Sequence, residues 1–119
     1  MEAQAVATQE FGLLSGGGWA QAWGLWAAAS QNIVGQALYV QVNAACPAAL
    51  GIPYVIEKTA PDGADTMQVT WQRGTATGTN ILIYENGSWR FVPDSDELTR
   101  YKLGPSQAVA QLKAAGQCQ

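Results

Sequence analysis

Apolar residues recur at helical spacing through the first half of the chain and alternate through the second. Val6, Phe11, Leu13 and Leu14 mark a first helix over 2–14, a stretch rich in good helix formers. Ser15-Gly16-Gly17-Gly18 ends it, because a helix interior tolerates such a run poorly, and predicts a tight turn into the next helix. That second helix opens at Gly18 or Trp19. At the helical rotation per residue, Trp19, Trp23, Trp26 and Ser30 share a sector of about 60°, with Ala22 on its edge. A third helix covers 36–45, with Leu38, Tyr39, Val42 and Ala45 at helix spacing, and Pro47 closes it.

After Gly51 the period becomes two. Residues 54–59 read as a strand and Pro61-Asp62-Gly63 as a turn. Residues 66–73 alternate Met67, Val69 and Trp71 against Gln68, Thr70 and Gln72, and 79–85 form another strand. Asn86-Gly87 predicts a two-residue hairpin, since a type I′ turn needs positive φ at both positions. Glu85 then pairs with Ser88, Tyr84 with Trp89, Ile83 with Arg90 and Leu82 with Phe91. One hairpin face carries Leu82, Tyr84, Trp89 and Phe91; the other carries Ile81, Ile83, Arg90 and Val92. Both are apolar, so each needs a cover. The helices cover one, and the C-terminal segment or a neighbouring subunit the other. Residues 94–97 read as an acidic loop. Pro105 opens a short last helix with Val109 and Leu112 inward, ended by Gly116.

The chain has the size of one domain, 1–119, with no repeat or linker. Apolar residues make up 48% and charged residues 13%, which excludes disorder. A net charge of −3 without a basic run excludes the electrostatic footprint of nucleic-acid binding. The longest apolar stretch, around Trp19 to Ala29, is too short to span a bilayer, which takes about 20 residues. Met1-Glu2-Ala3 opens with an acid and shows no leader pattern.

Histidine is absent, and Cys46 and Cys118 lack metal-ligand spacing, so neither metal nor cofactor is expected. A disulfide tying the end of the chain to its middle is the expected use of the pair; two separate buried thiols are the alternative. A loop of this size would contribute about 4 kcal/mol on the chain-entropy model. A disulfide implies an oxidising compartment. The expectation is an extracytoplasmic protein, secreted or lipid-anchored, whose targeting segment has been removed and which meets a membrane only through that missing N-terminal anchor.

Two segments carry a resemblance. "GGWAQAWGLW" is similar to the glycine–aromatic helix opening of the NTF2-like (cystatin-like) superfamily, and "GTNILIYENGSWRF" resembles its penultimate hairpin. With the cysteine pair, the chain resembles small exported or lipoprotein domains of unknown function from actinobacteria. The resemblance spans nearly the whole chain and implies an α+β cone: N-terminal helices packed on a curved antiparallel sheet, a short C-terminal helix, and an open end that is often a pocket. Its motifs are structural and specify the fold rather than an activity.

The residues offer little catalytic chemistry. No histidine activates a serine or Cys46. Of nine acids, Glu2 and Glu10 fall on the first helix and most others in turns, while Glu85 adjoins the hairpin turn. Glu57 is the one acid that a strand could aim into the cone, although Lys58 beside it favours a solvated position. The candidate pocket residues are Trp23, Tyr39, Asn43, Tyr54, Trp71, Tyr84 and Trp89, which combine apolar surface with a few hydrogen-bonding tips. Arg90 is a further candidate, to pair with Glu57 or to anchor an acidic group.

The leading expectation is a non-catalytic exported domain that binds an apolar small molecule or a protein partner. One alternative is an NTF2-like enzyme of isomerase, dehydratase or cyclase type, with Glu57 or Tyr39 as its acid–base group. The other is a structural docking module of an envelope assembly. Ile81, Ile83 and Val92 on the outer sheet face suit a protein partner or a homodimer.

Overall fold

The first helix, α1 (Ala3–Gly16), buries Ala3, Val6, Ala7, Glu10 and Phe11, the i, i+3, i+4, i+7, i+8 stripe of a core-facing helix. Four of those positions are apolar and the fifth is an acid. The computed structural model describes residues 2–47 and 50–118, so Met1 of the opening tripeptide lies outside the described residues. The glycine run is the tight turn that the sequence predicts. Gly17 adopts a left-handed φ of 81° and Gly18 donates its N–H to the Leu13 carbonyl at 2.8 Å.

The sequence places Trp19, Trp23, Trp26 and Ser30 on one helix, and the structure divides them. α2 (Trp19–Gly24) stops at its glycine, and α3 (Ala28–Ile33) starts afresh. Between them Trp26 forms an isolated parallel bridge with Phe91. Phe91 donates its N–H to the Leu25 carbonyl and accepts from the Ala27 N–H, both at 2.8 Å. Sheet edges leave main-chain groups unpaired. Two helical hydrogen bonds are exchanged here for two that cover such an edge, and the helical sector breaks at Trp26. Glu85, beside the hairpin turn, accepts the Ala28 N–H at 2.8 Å and so caps the start of α3. α4 (Gln36–Ala45) then buries Tyr39 and Val42.

β1 (Val55–Pro61), β2 (Thr66–Arg73), β3 (Ala76–Glu85) and β4 (Ser88–Val92) form an open antiparallel sheet in the order β1-β2-β3-β4. Asn86 and Gly87 have φ of 50° and 81°, and the pairing from Glu85↔Ser88 to Leu82↔Phe91 is the one that the alternation predicts. α1 lies across β2, β3 and β4, over the face where Val69, Leu82 and Phe91 are buried. On the opposite face Ile81, Ile83 and Val92 are half-buried. The β1–β2 register shifts between Ile56 and Lys58, so Glu57 sits at a bulge and is exposed.

The stretch read as an acidic loop is instead the start of a helix, α5 (Ser95–Lys102). Asp96 and Glu97 fall in its first turn and Arg100 and Lys102 in its last, the arrangement that the helix dipole favours. Leu98 and Tyr101 are buried, three residues apart on one face. α6 (Pro105–Ala114) buries Ala108 and Leu112 and packs against α4 and α5.

Cys46, fully buried at the end of α4, is bonded to Cys118 beyond α6, with Cα atoms 4.8 Å apart across 72 residues of chain. The bond is compatible with an extracytoplasmic location. No described helix is long and apolar enough to cross a membrane. A Cys46→Ser/Cys118→Ser double variant is expected to lose about 2–5 kcal/mol of unfolding free energy in urea titrations. Unchanged stability would show that the tail holds α4 without the bond.

Candidate functional site

A cavity of about 350 Å³ opens between α1, the inner sheet face and the helices α4, α5 and α6. Its closed end consists of buried groups, Glu10, Trp26, Tyr39 and Phe91, while Asp94, Asp96 and Gln117 are exposed where it meets solvent.

The closed end is set by the Trp26–Phe91 bridge. Trp26 enters the core, where its indole packs edge-to-face on Tyr39 with centroids 4.6 Å apart. A buried indole N–H needs an acceptor. Trp26 Nε1 donates to Glu10 Oε2 at 3.2 Å. Glu10 is fully buried, and its other oxygen, Oε1, has no hydrogen-bond partner among the described residues. Burial pushes the Glu10 carboxyl well above the usual carboxylate range, the Trp26 hydrogen bond opposes this, and the Glu97 charge adds to the rise.

α5 supplies the second acid. Burial of its carboxyl pushes Glu97 up to about 7, helped by the Asp94 charge and opposed by Arg100 and a hydrogen bond from Tyr101. The Tyr101 hydroxyl also accepts from Asn43 Nδ2 at 2.9 Å, while the same amide donates to the Tyr39 carbonyl at 2.8 Å. Tyr101 packs on Tyr39 at 5.4 Å. Desolvation raises all three cavity tyrosines, Tyr39, Tyr54 and Tyr101, above the usual phenol value, so they are hydrogen-bonding groups at neutral pH rather than anions.

The sheet side is aromatic. Phe11 stacks on Tyr54 at 4.6 Å, and Tyr54 meets Trp71 edge-on at 5.0 Å. A Cβ at Gly78 would run into the Trp71 indole, so glycine leaves the space that the ring occupies. Trp71 Nε1 donates to Asn80 Oδ1 at 2.8 Å, and Asn80 Nδ2 donates to the Val92 carbonyl at 3.3 Å. The Arg73 guanidinium lies 5.3 Å from the Tyr54 ring centroid.

Of the residues singled out from the sequence, Tyr39, Asn43, Tyr54 and Trp71 line the cavity together. Trp23 lies elsewhere: its indole donates to the Val34 carbonyl at 2.8 Å and its own carbonyl accepts from Gln31, joining α2 to α3. Tyr84 and Trp89 form an edge-to-face pair at 5.4 Å by the hairpin turn, with Tyr84 46% exposed. Glu57 points to solvent at its bulge, and Arg90 Nε donates to the Trp26 carbonyl at 3.0 Å.

Glu10 and Glu97 line the cavity without having been candidates from the sequence. The spacing Ala3, Val6, Ala7, Glu10 is a signal for the first, since it places the acid on the buried stripe. Asp94 followed three residues later by Glu97 and then by Leu98 and Tyr101 is a helix-start signal for the second. No group of three or more potential metal-ligating side chains converges among the described residues. The chain matches no protein-family model and no curated protein.

The two acids make stability pH-dependent. Glu10 and Glu97 hold protons in the folded state that the unfolded chain releases above its ordinary carboxyl value of 4.5. Stability therefore falls as pH rises from that value through 7, by up to about 1.4 kcal/mol per pH unit for each acid. Urea midpoints measured from about pH 5 to about pH 8 are expected to decline, and Glu97→Gln to flatten the decline. A midpoint that rose with pH would contradict the burial of both acids.

Proposed function

We propose that this chain is an extracytoplasmic, NTF2-like domain that binds a small molecule of largely apolar body in the cavity between α1, the sheet and α4–α6. The observation that carries this reading is the cavity itself. Its 350 Å³ falls in the range of ligand sites, and its walls combine aromatic rings with charged and hydrogen-bonding side chains. The order of elements supports the NTF2-like assignment: helices first, then an open four-stranded meander with α1 across one face. The Cys46–Cys118 bond supports the compartment.

A second reading is an acid–base enzyme of isomerase, dehydratase or cyclase type. It is favoured by Glu97, which lines the cavity and is poised near neutrality. Glu57, being exposed, has no part in it.

Native mass spectrometry of the unreduced protein, purified from a host that exports it, is expected to show a noncovalent small-molecule adduct. Trp71→Ala, which removes one wall, should abolish it. If the protein is bare, and no compound of a fragment library shifts the NMR signals of Tyr39, Tyr54 or Trp71, the binding reading fails. Turnover of a bound carbonyl compound that is lost in Glu97→Gln would move the assignment to the enzyme.

A further inference from the structure

We propose that β1 is a dimerisation edge: it pairs antiparallel with β1 of a second copy of this chain about a two-fold axis between Glu57 and Lys58, joining the two sheets edge to edge. The contact neither uses nor requires an occupant of the cavity.

The two edges of the sheet differ. β4 is covered by residues 25–27, whose main chain exchanges two hydrogen bonds with Phe91. β1 ends the sheet on the other side, and no described strand or bridge pairs with its free edge. All of its residues except Ile56 are exposed, Val55 to 59%. Such an edge is a template for another strand. Beside it lies a groove of about 420 Å³ between α1 and β1, lined by Phe11, Tyr54, Val55 and Ile56 among others, so apolar surface flanks the open main chain.

The sequence of β1 is complementary to itself in one register. The bulge moves the alternation by one residue. Ile56, Thr59 and Pro61 pair with Trp71, Val69 and Met67, on the face that α1 covers, and Tyr54 stacks on Phe11 there too. Val55, Lys58 and Ala60 pair with Gln72, Thr70 and Gln68 on the opposite face, where Glu57 and Lys58 stand together against Thr70. Set Glu57 opposite the partner's Lys58, and Ile56 meets the partner's Thr59, Val55 the partner's Ala60 and Tyr54 the partner's Pro61. Every pair then shares a face, and the two-fold axis makes the charge pair twice. A slip of one residue opposes Glu57 to the partner's Glu57 or Lys58 to the partner's Lys58, and mismatches the faces of the flanking pairs. Like charges directly opposite are destabilising. A slip of two sets both charges against uncharged residues. A bulge blunts an edge against a regular strand, but the second copy carries the same bulge at the same point, and each extra residue opposes the other.

Sedimentation velocity of the disulfide-bonded protein, from about 1 μM to about 1 mM, tests this. The wild-type chain is expected to show a monomer–dimer equilibrium within that range. Glu57→Lys and Lys58→Glu, both at exposed positions, should each weaken dimerisation at least about tenfold, because both charge pairs turn from attraction to repulsion. The two variants mixed in equal amounts should dimerise again, since two lysines on one strand then face two glutamates on the other. A wild-type chain that stays monomeric throughout would overturn the proposal and leave the edge to a strand of a different protein. A dimer that both single variants leave intact would overturn it in favour of contact through the sheet face of Ile81 and Ile83. Two weakened variants whose mixture fails to associate would overturn the register, and the proposal with it.

Discussion

Two main-chain hydrogen bonds on Phe91 govern the rest of this structure. They draw residues 25–27 out of a helix and lay them along β4. Each is worth only about 1 kcal/mol net, yet their geometric consequence is large. Trp26 is turned into the core instead of continuing the tryptophan face of α2. Once inside, its N–H requires an acceptor, and the residue that α1 presents is an acid. The depth of Glu10 is thus linked to the covering of a sheet edge.

The remaining walls hold this arrangement without filling it. Phe11, Tyr54, Trp71 and Phe91 pack through ring edges and faces at centroid distances of 4.6–6.2 Å. Asn80 and Asn43 fix the tips of Trp71 and Tyr101 by hydrogen bonds. The disulfide anchors the segment after α6 to the end of α4, and both Cys46 and Gln117 border the cavity. An interior ringed by aromatics would ordinarily close by side-chain packing. Here polar groups project into it from α1, α4 and α5, and the space stays open.

Much of the fold was legible in the sequence because local rules decide it. Asn86-Gly87 fixed one hairpin register, alternation from Met67 to Trp71 gave the inward face of β2, and Pro47 and Pro105 bounded helices. The misreadings share a cause. Trp26 obeyed the helical period, but a partner 65 residues away in sequence decided its conformation. Residues 94–97 looked like a loop because acids are polar, although an acidic first turn followed by two buried residues is what a helix start requires. The site was half legible. Tyr39, Asn43, Tyr54 and Trp71 were recognised as amphipathic side chains suited to a pocket. Trp23, Tyr84 and Trp89 have the same character, and only tertiary placement separates the two groups. Glu10 was passed over because an acid on a helix is usually solvated, and Glu97 because residues 94–97 read as a loop; the burial of Glu10 depends on contacts far apart in the chain.

The central claim is that Glu10 is an acid held protonated at the closed end of the cavity, while Glu97 on α5 titrates near neutrality. Side-chain carboxyl carbon NMR, with glutamate labelled and Glu10→Gln and Glu97→Gln used for assignment, observes this directly. The account predicts that the Glu97 signal moves with a midpoint near 7 and that the Glu10 signal keeps the protonated position well above the ordinary carboxyl range. Midpoints for both near 4.5, the ordinary carboxyl value, would contradict it. Glu10 would then be a solvated carboxylate and the cavity a different shape.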